Sequence, residues 1–313
     1  TPLPVLAEVV RSGFVESVHT GSAVAIDPEG HVVISLGRPD VPCYPRSSNK
    51  PLQAAAMARA GLDLPDDLLA LASASHAGED MHVDGVRRML ASVDLDETAL
   101  RCPEDLPGDD DARTRMIRAG APADRIHMNC SGKHAAMLTT CAVNRWPTET
   151  YLDPQHPLQT RIRDVVEELS GEKVAHTGVD GCGAPLFAFS LTGLARAFQA
   201  IITAEPGTAE RRVADAFRGY PEMTSGSNRP EARLMRGIKG LLNKGGAEAV
   251  DAVALSDGTT LAVKIADGAQ RARVPVTVAT LRALGQVAPV LDELGRGDVG
   301  GYQLISRIAC SKG

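Results

Sequence analysis

Strand-like patterning at both ends of the chain, around a long helical middle, constrains the fold more than any other feature of the sequence. Near the start, Ala23-Val24-Ala25-Ile26 and residues 31–36 are apolar, β-prone runs separated by the hairpin turn Asp27-Pro28-Glu29-Gly30. Near the end, residues 250–256 and 259–265 flank Asp257-Gly258, the strongest hairpin signal in the chain. The stretches between read as helices: 51–60 with Gly61 as its stop, 65–74, 82–93, 132–146, 157–169, 191–204, 210–218, and 229–242 with Gly245-Gly246 as its stop. A further helix is expected at 274–284, and the acidic segment 104–111 reads as an exposed loop. Strands at the two ends must meet in one sheet. The expectation is an α/β (α+β) fold with a terminal antiparallel-type sheet, flanking helices and a helical subdomain. One catalytic domain over 1–313 is expected, strand-rich near 1–45 and 245–313.

Charge and composition remove several function classes. The 313 residues carry a formal net charge of -6, which argues against a nucleic-acid partner. Aromatic residues are only 3%, too few for base-stacking platforms. No apolar run approaches the roughly 20 residues that cross a bilayer, so no membrane partner is expected. The N-terminus lacks a basic segment followed by an apolar one, so a cytoplasmic location is expected. Thr1 invites an N-terminal nucleophile, but Pro2 follows it in an unstructured-looking start. The six scattered cysteines read as reduced, buried or metal-bound rather than paired. Arg296-Gly297-Asp298 reads as a loop. The net charge of -6 and abundant Ala- and Leu-rich helices, taken with the family resemblance given below, suggest a homodimer.

Lysine is scarce, with seven among 33 basic residues, so a lysine in an apolar or Gly/Ser-rich setting draws attention. Ser47-Ser48-Asn49-Lys50 is an S-x-x-K at a helix start, a spacing that brings the Ser47 hydroxyl and the Lys50 amine to one face. A hydroxyl becomes a nucleophile only when a base takes its proton, and lysine is a base only when burial or another cation lowers its pKa. Read alone, the same four residues are an ordinary helix start. Ala74-Ser75-His76-Ala77-Gly78-Glu79 implies closely packed backbone, and equally suits a tight turn between helices. Asn129-Cys130-Ser131-Gly132-Lys133-His134 opens an apolar helix, and Asp180-Gly181-Cys182-Gly183-Ala184-Pro185 is a punctuated turn with an acid and a thiol. Each cysteine alone is more often a small buried hydrophobe. In Val263-Lys264-Ile265, alternation along a strand points Lys264 either to solvent or into a cleft.

The five motifs in this order resemble the thermolabile, Rhizobium-type L-asparaginase family over about 13–268. The resemblance implies a fold similar to serine β-lactamases and glutaminases, with the active site between an α/β body and a helical subdomain. It implies two serine–lysine pairs, Ser47 with Lys50 and Ser75 with Lys264. It further implies that Arg46 and Asp180 hold the two charged ends of L-asparagine, with His134 and Asn129 beside the pocket. Cys130, Lys133 and Cys182 match positions that bind one zinc ion in the family. Gly226-Ser227-Asn228-Arg229-Pro230-Glu231 only loosely resembles the family's Gly- and Asp-containing loop. The expected reaction is hydrolysis of L-asparagine to L-aspartate and ammonia through a serine–lysine acyl-enzyme, with Ser47 favoured over Ser75 as nucleophile. Two alternatives stay open: a related amidase such as a glutaminase, and a zinc-binding regulatory protein without catalysis.

Overall fold

The computed structural model describes residues 2–295, 303–306 and 308. The chain opens with a hairpin of β1 (Val5–Arg11) and β2 (Phe14–Ile26), joined through Ser12 and Gly13, both at positive φ. β3 (Val32–Leu36) turns back onto the second half of β2 through the expected Asp27–Gly30 turn. A left-handed residue, Arg46, then admits a short 3-10 turn that runs into α1 (Lys50–Arg59).

The helical middle follows: α2 (Asp66–Ala72), α3 (Asp80–Ala91), α4 (Asp110–Arg118), α5 (Ser131–Asn144) and α6 (Pro157–Ser170). A two-stranded ribbon, β4 (His176–Val179) with β5 (Pro185–Ala188), holds the Asp180–Ala184 turn at its tip. Four more helices complete this part: α7 (Leu191–Ile202), α8 (Ala209–Gly219), α9 (Pro221–Thr224) and α10 (Pro230–Gly237). The chain returns as β6 (Leu242–Gly246), β7 (Val250–Ala254) and β8 (Thr260–Ile265). It continues as α11 (Gln270–Ala283), α12 (Pro289–Leu294) and β9 (Gln303–Ile305).

Among the described residues the main sheet has seven strands in the order β6-β7-β8-β2-β1-β9, with β3 also on β2. Every pairing is antiparallel, and Gly21–Ile26 pairs with Ile265–Thr260, joining the two ends of the chain as expected. α7 and α11 pack on this sheet, while α1, α2, α3, α5, α6 and α8 pack on one another. β7 and all but one residue of β8 are buried, as is α5 from Ser131 to Cys141, so one continuous core spans sheet and helices. No described helix is long and apolar enough to cross a membrane.

The sharpest departure from the sequence reading falls at 229–246. The helix stops at Gly237, Ile238 is extended, and Gly240 turns the chain at φ 78°. Gly245-Gly246, expected to terminate that helix, instead end a fully buried strand. β1, α4 and the β4–β5 ribbon were not anticipated. The five described cysteines are free, while Cys310, Thr1 and Arg296-Gly297-Asp298 lie outside the described residues.

Candidate active site

A cavity of about 690 Å³ opens where β6, the turn before α1 and the starts of α5 and α10 converge. Arg46, Ser47, Ser75, Asn129, Cys130, Asp180, Cys182 and Lys244 all line it. Motifs scattered over some 200 residues of sequence therefore share one wall.

At its centre is Ser75. Lys50 Nζ lies 3.0 Å from Ser75 Oγ, and Lys244 Nζ lies 2.9 Å from the same oxygen. Lys50 Nζ also donates to Ala74 O at 2.5 Å and contacts Cys130 Sγ at 3.1 Å. Lys244 Nζ donates to Gly245 O at 2.7 Å. Burial pushes the Lys244 amine down to about 7, helped by the Lys50 charge and opposed by Glu231. A neutral amine near pH 7 is a competent proton acceptor.

Lys264 stands elsewhere. Its Nζ donates to Glu248 O at 2.7 Å and to Ile265 O at 2.9 Å, and it is only half buried. The structure thus pairs Ser75 with Lys244, not with Lys264. Alternation along β8 does turn Lys264 away from its buried neighbours, but toward the Glu248 turn. Lys244 was missed because Gly245-Gly246 read as a helix stop. A usable signal was present: a lysine followed by small residues on a strand accompanies S-x-x-K in serine β-lactamases.

Ser47 faces the cavity directly after Arg46, whose φ of 51° is a left-handed conformation that a side chain adopts at a cost of about 1 kcal/mol or more. Its carbonyl accepts from Lys50 N, but no hydrogen bond joins the Ser47 hydroxyl to the Lys50 amine. Arg46 Nε donates to Asp180 Oδ1 at 2.8 Å, and Gly181 N donates to the same oxygen, so the pair expected to grip substrate is preassembled at the rim.

The small-residue turn at 74–79 has a structural task. His76 Nε2 donates to Ser131 Oγ at 2.8 Å, and Ser131 Oγ donates to Ile126 O, while His76 Nδ1 accepts from Gly78 N. Burial and the stacked His82 ring hold His76 well below the usual histidine range, so it is neutral. Glu79 accepts from Ser227 N and Ser227 Oγ, tying the 226–229 loop over the site.

Cys130 and Cys182 come together beneath the cavity. Lys133 Nζ lies 3.0 Å from Cys182 Sγ, and Cys130 Sγ lies 2.9 Å from Asn129 Oδ1. A hydrogen bond from Cys130 and the Lys133 charge hold the Cys182 thiol far below its ordinary value, against its burial, while Cys130 is pushed well above its own. Burial opposes the Lys133 charge, but the two sulfurs outweigh it and raise its pKa. His134 is fully buried, bonded through Nδ1 to Tyr151 OH at 2.6 Å, and its ring also meets the Cys182 sulfur. Among the described residues no three His, Cys, Asp or Glu side chains gather as a metal site. The third expected donor here is a lysine, and two sulfurs with an amine suit zinc's preference for S and N ligands once Lys133 gives up its proton to the bulk on metal binding.

A hydroxyl between two lysine amines, beside a preformed ion pair, in a cavity of this kind defines a hydrolase. The sequence model of the family described as L-asparaginase II matches residues 7–301, and the chain belongs to that family. Membership supports amidohydrolase activity on asparagine. No curated protein sequence matches. Among solved structures the chain is similar to a β-lactamase from Mycobacterium bovis, at 16% identity and TM-score 0.48, covering 90% of this chain and 95% of that one. It is similar to Mglu in its native form in 4.3M NaCl, at 14% identity and TM-score 0.45, covering 85% and 60%. It is also similar to EstCE1, a hydrolase with promiscuous acyltransferase activity, at 12% identity and TM-score 0.40, covering 78% and 88%.

Proposed function

We propose that the chain hydrolyses the side-chain amide of L-asparagine through an acyl-enzyme on Ser47, with Lys50, Ser75 and Lys244 managing the protons. The observation that carries this reading is the Ser75 hydroxyl held by both Lys50 and Lys244. Arg46 takes the substrate's α-carboxylate and Asp180 its α-ammonium, exchanging their mutual contact for the two ends of the amino acid. Ser47 Oγ attacks the amide carbon, and its proton passes through Ser75 to the neutral Lys244 amine. The C–N bond breaks and the departing nitrogen takes a proton from the lysine side, leaving as ammonia. Water then attacks the ester carbon, gives its proton along the same path, and releases L-aspartate with Ser47 restored. Ammonia release from L-asparagine by the purified protein tests the reading, with L-glutamine and a chromogenic β-lactam beside it. Turnover on glutamine alone would move the substrate assignment to a glutaminase. A β-aspartyl adduct on Ser47 in quenched single-turnover samples identifies the nucleophile, and an adduct on Ser75 would reverse the two serines.

Cys130, Cys182 and Lys133 hold one zinc in this reading, supported by their clustering. The metal's contribution is to fix the loops that carry Asn129 and Asp180. Removing zinc by chelation is expected to raise KM for asparagine more than it lowers kcat. A metal content well below one zinc per chain after zinc-supplemented purification would contradict it. A homodimer belongs to the same reading, and light scattering at the single-chain mass would remove it.

A further inference from the structure

A buried ion network stands behind the strand that carries Lys244. Arg273 Nη2 on α11 donates to Glu231 Oε1 on α10 at 2.7 Å, and Arg273 Nη1 lies 3.2 Å from Asp251 Oδ1 on β7. Asp251 also accepts from Asn243 Nδ2 at 2.7 Å and from Thr277 Oγ1 at 2.8 Å. Arg273 Nε donates to Gln270 Oε1, and Gln270 Nε2 donates to Gly246 O, both at 3.0 Å. Glu231, Arg273 and Gln270 line the active-site cavity. Burying two carboxylates and a guanidinium is a poor route to stability, since apolar packing of similar volume serves as well.

The network's position gives it another role. A Cβ on Gly245 would fall 2.1 Å from Arg273 Nη1 and 2.5 Å from Glu231 Oε1. A Cβ on Gly246 would fall 2.9 Å from Pro45 O and 3.1 Å from Ser48 N. The residues that follow Lys244 are thus wedged between the ion pair on one side and the Ser47 turn on the other. Lys50 and Arg273 disfavour the proton on Lys244, and Glu231 favours it.

We propose that Glu231 and Arg273 are positioning residues for the hydrolytic step: their ion pair, extended through Asp251 and Gln270, clamps β6 so that Lys244 Nζ meets Ser75 Oγ, and it sets one negative charge beside that amine. This rests on the assignment of Lys244 as proton acceptor.

The test compares Glu231→Gln, which keeps shape and removes charge, with Glu231→Asp, which keeps charge, in asparagine hydrolysis across pH. Glu231→Gln is expected to lower kcat about 10- to 100-fold, the cost of a small misplacement, with KM changed less than about twofold. Its acidic limb should shift to lower pH, because a lysine that loses a negative neighbour gives up its proton more readily, and Glu231→Asp should return the limb toward its original position. A folded Glu231→Gln with the parent's kcat and pH profile overturns the proposal. Should Glu231→Gln fail to fold, Gln270→Leu, which cuts the link from Arg273 Nε to Gly246 O at both of its bonds, decides: a lowered kcat at constant KM supports the clamp, and an unchanged kcat overturns it. Lys244→Ala in parallel separates the two levels. Full activity there removes the underlying assignment, whereas lost activity there beside an unaffected Glu231→Gln removes the clamp alone.

Discussion

Two strands of one sheet each carry a lysine, and they put it to different uses. On β8, Lys264 sits between Val263 and Ile265 in a run of β-formers, half buried, with its amine on the backbone carbonyls of Glu248 and Ile265. On β6, Lys244 precedes two glycines, is fully buried, and reaches the Ser75 hydroxyl. The β8 segment looks like a strand because its residues prefer one. The β6 segment is a strand because its neighbours leave no room for anything larger. A chemically active lysine needs a buried, crowded, charge-controlled setting, and such settings favour glycine over the residues that announce a strand.

The comparison breaks most completely at the hydroxyl that β6 serves. Ser75→Ala and Lys50→Ala are each expected to reduce kcat for asparagine by about 10²–10⁴-fold, the range of a lost proton-transfer group. Steady-state rates on protein with unchanged circular dichroism check this, and near-parental turnover in either variant would detach that residue from the chemistry.

A methyl group is the next probe. Gly245→Ala forces a carbon against the Arg273–Glu231 pair, and is expected to lose about 1–3 kcal/mol of stability by overpacking, together with activity. Denaturant unfolding measures the first effect, and a parental midpoint would mean that β6 is not confined as described.

The third probe is binding. Asp180→Asn removes one charged contact to the substrate's ammonium, a loss of about 1.5–3 kcal/mol, so KM should rise roughly tenfold or more while kcat changes less. Equal changes in kcat with constant KM would place Asp180 in the chemical step instead.

The smallest effect is the pH profile. With the Lys244 amine pushed down to about 7, kcat/KM should fall as pH drops through that value, because the ammonium form accepts no proton. The sign for stability follows from the same shift. Between about 7 and the ordinary lysine value of about 10.4, the unfolded chain binds a proton that the folded chain does not, so Lys244 makes stability rise with pH across that window. A profile flat from pH 8 to 6 would contradict the assignment.

Much of the architecture was legible because local signals and tertiary context agree. The Asp27–Gly30 and Asp257-Gly258 turns lie between β-prone runs, and the pairing of β2 with β8 follows once both ends must share a sheet. Four of the five motifs mark the cavity, through Arg46, Ser47, Ser75, Asn129, Cys130, Asp180 and Cys182, while the fifth, with Lys264, lies outside it. What stayed hidden depends on close approach. Leu242–Gly246 has two residues without side chains and no alternation, since it is buried on both faces, so nothing local separates it from a helix terminus. Nothing local sets Glu231, Arg273 and Asp251 apart in the sequence, and only the fold shows that they face one another inside.

The central claim is that the proton acceptor stands on β6 and not on β8. Lys244→Met and Lys264→Met, measured side by side for ammonia release from L-asparagine at pH 8, test it most directly. The account predicts a kcat about 10²–10⁴-fold below the parent for Lys244→Met, and a kcat within about threefold of it for Lys264→Met. The reverse order, with Lys264→Met inactive and Lys244→Met active, would contradict it.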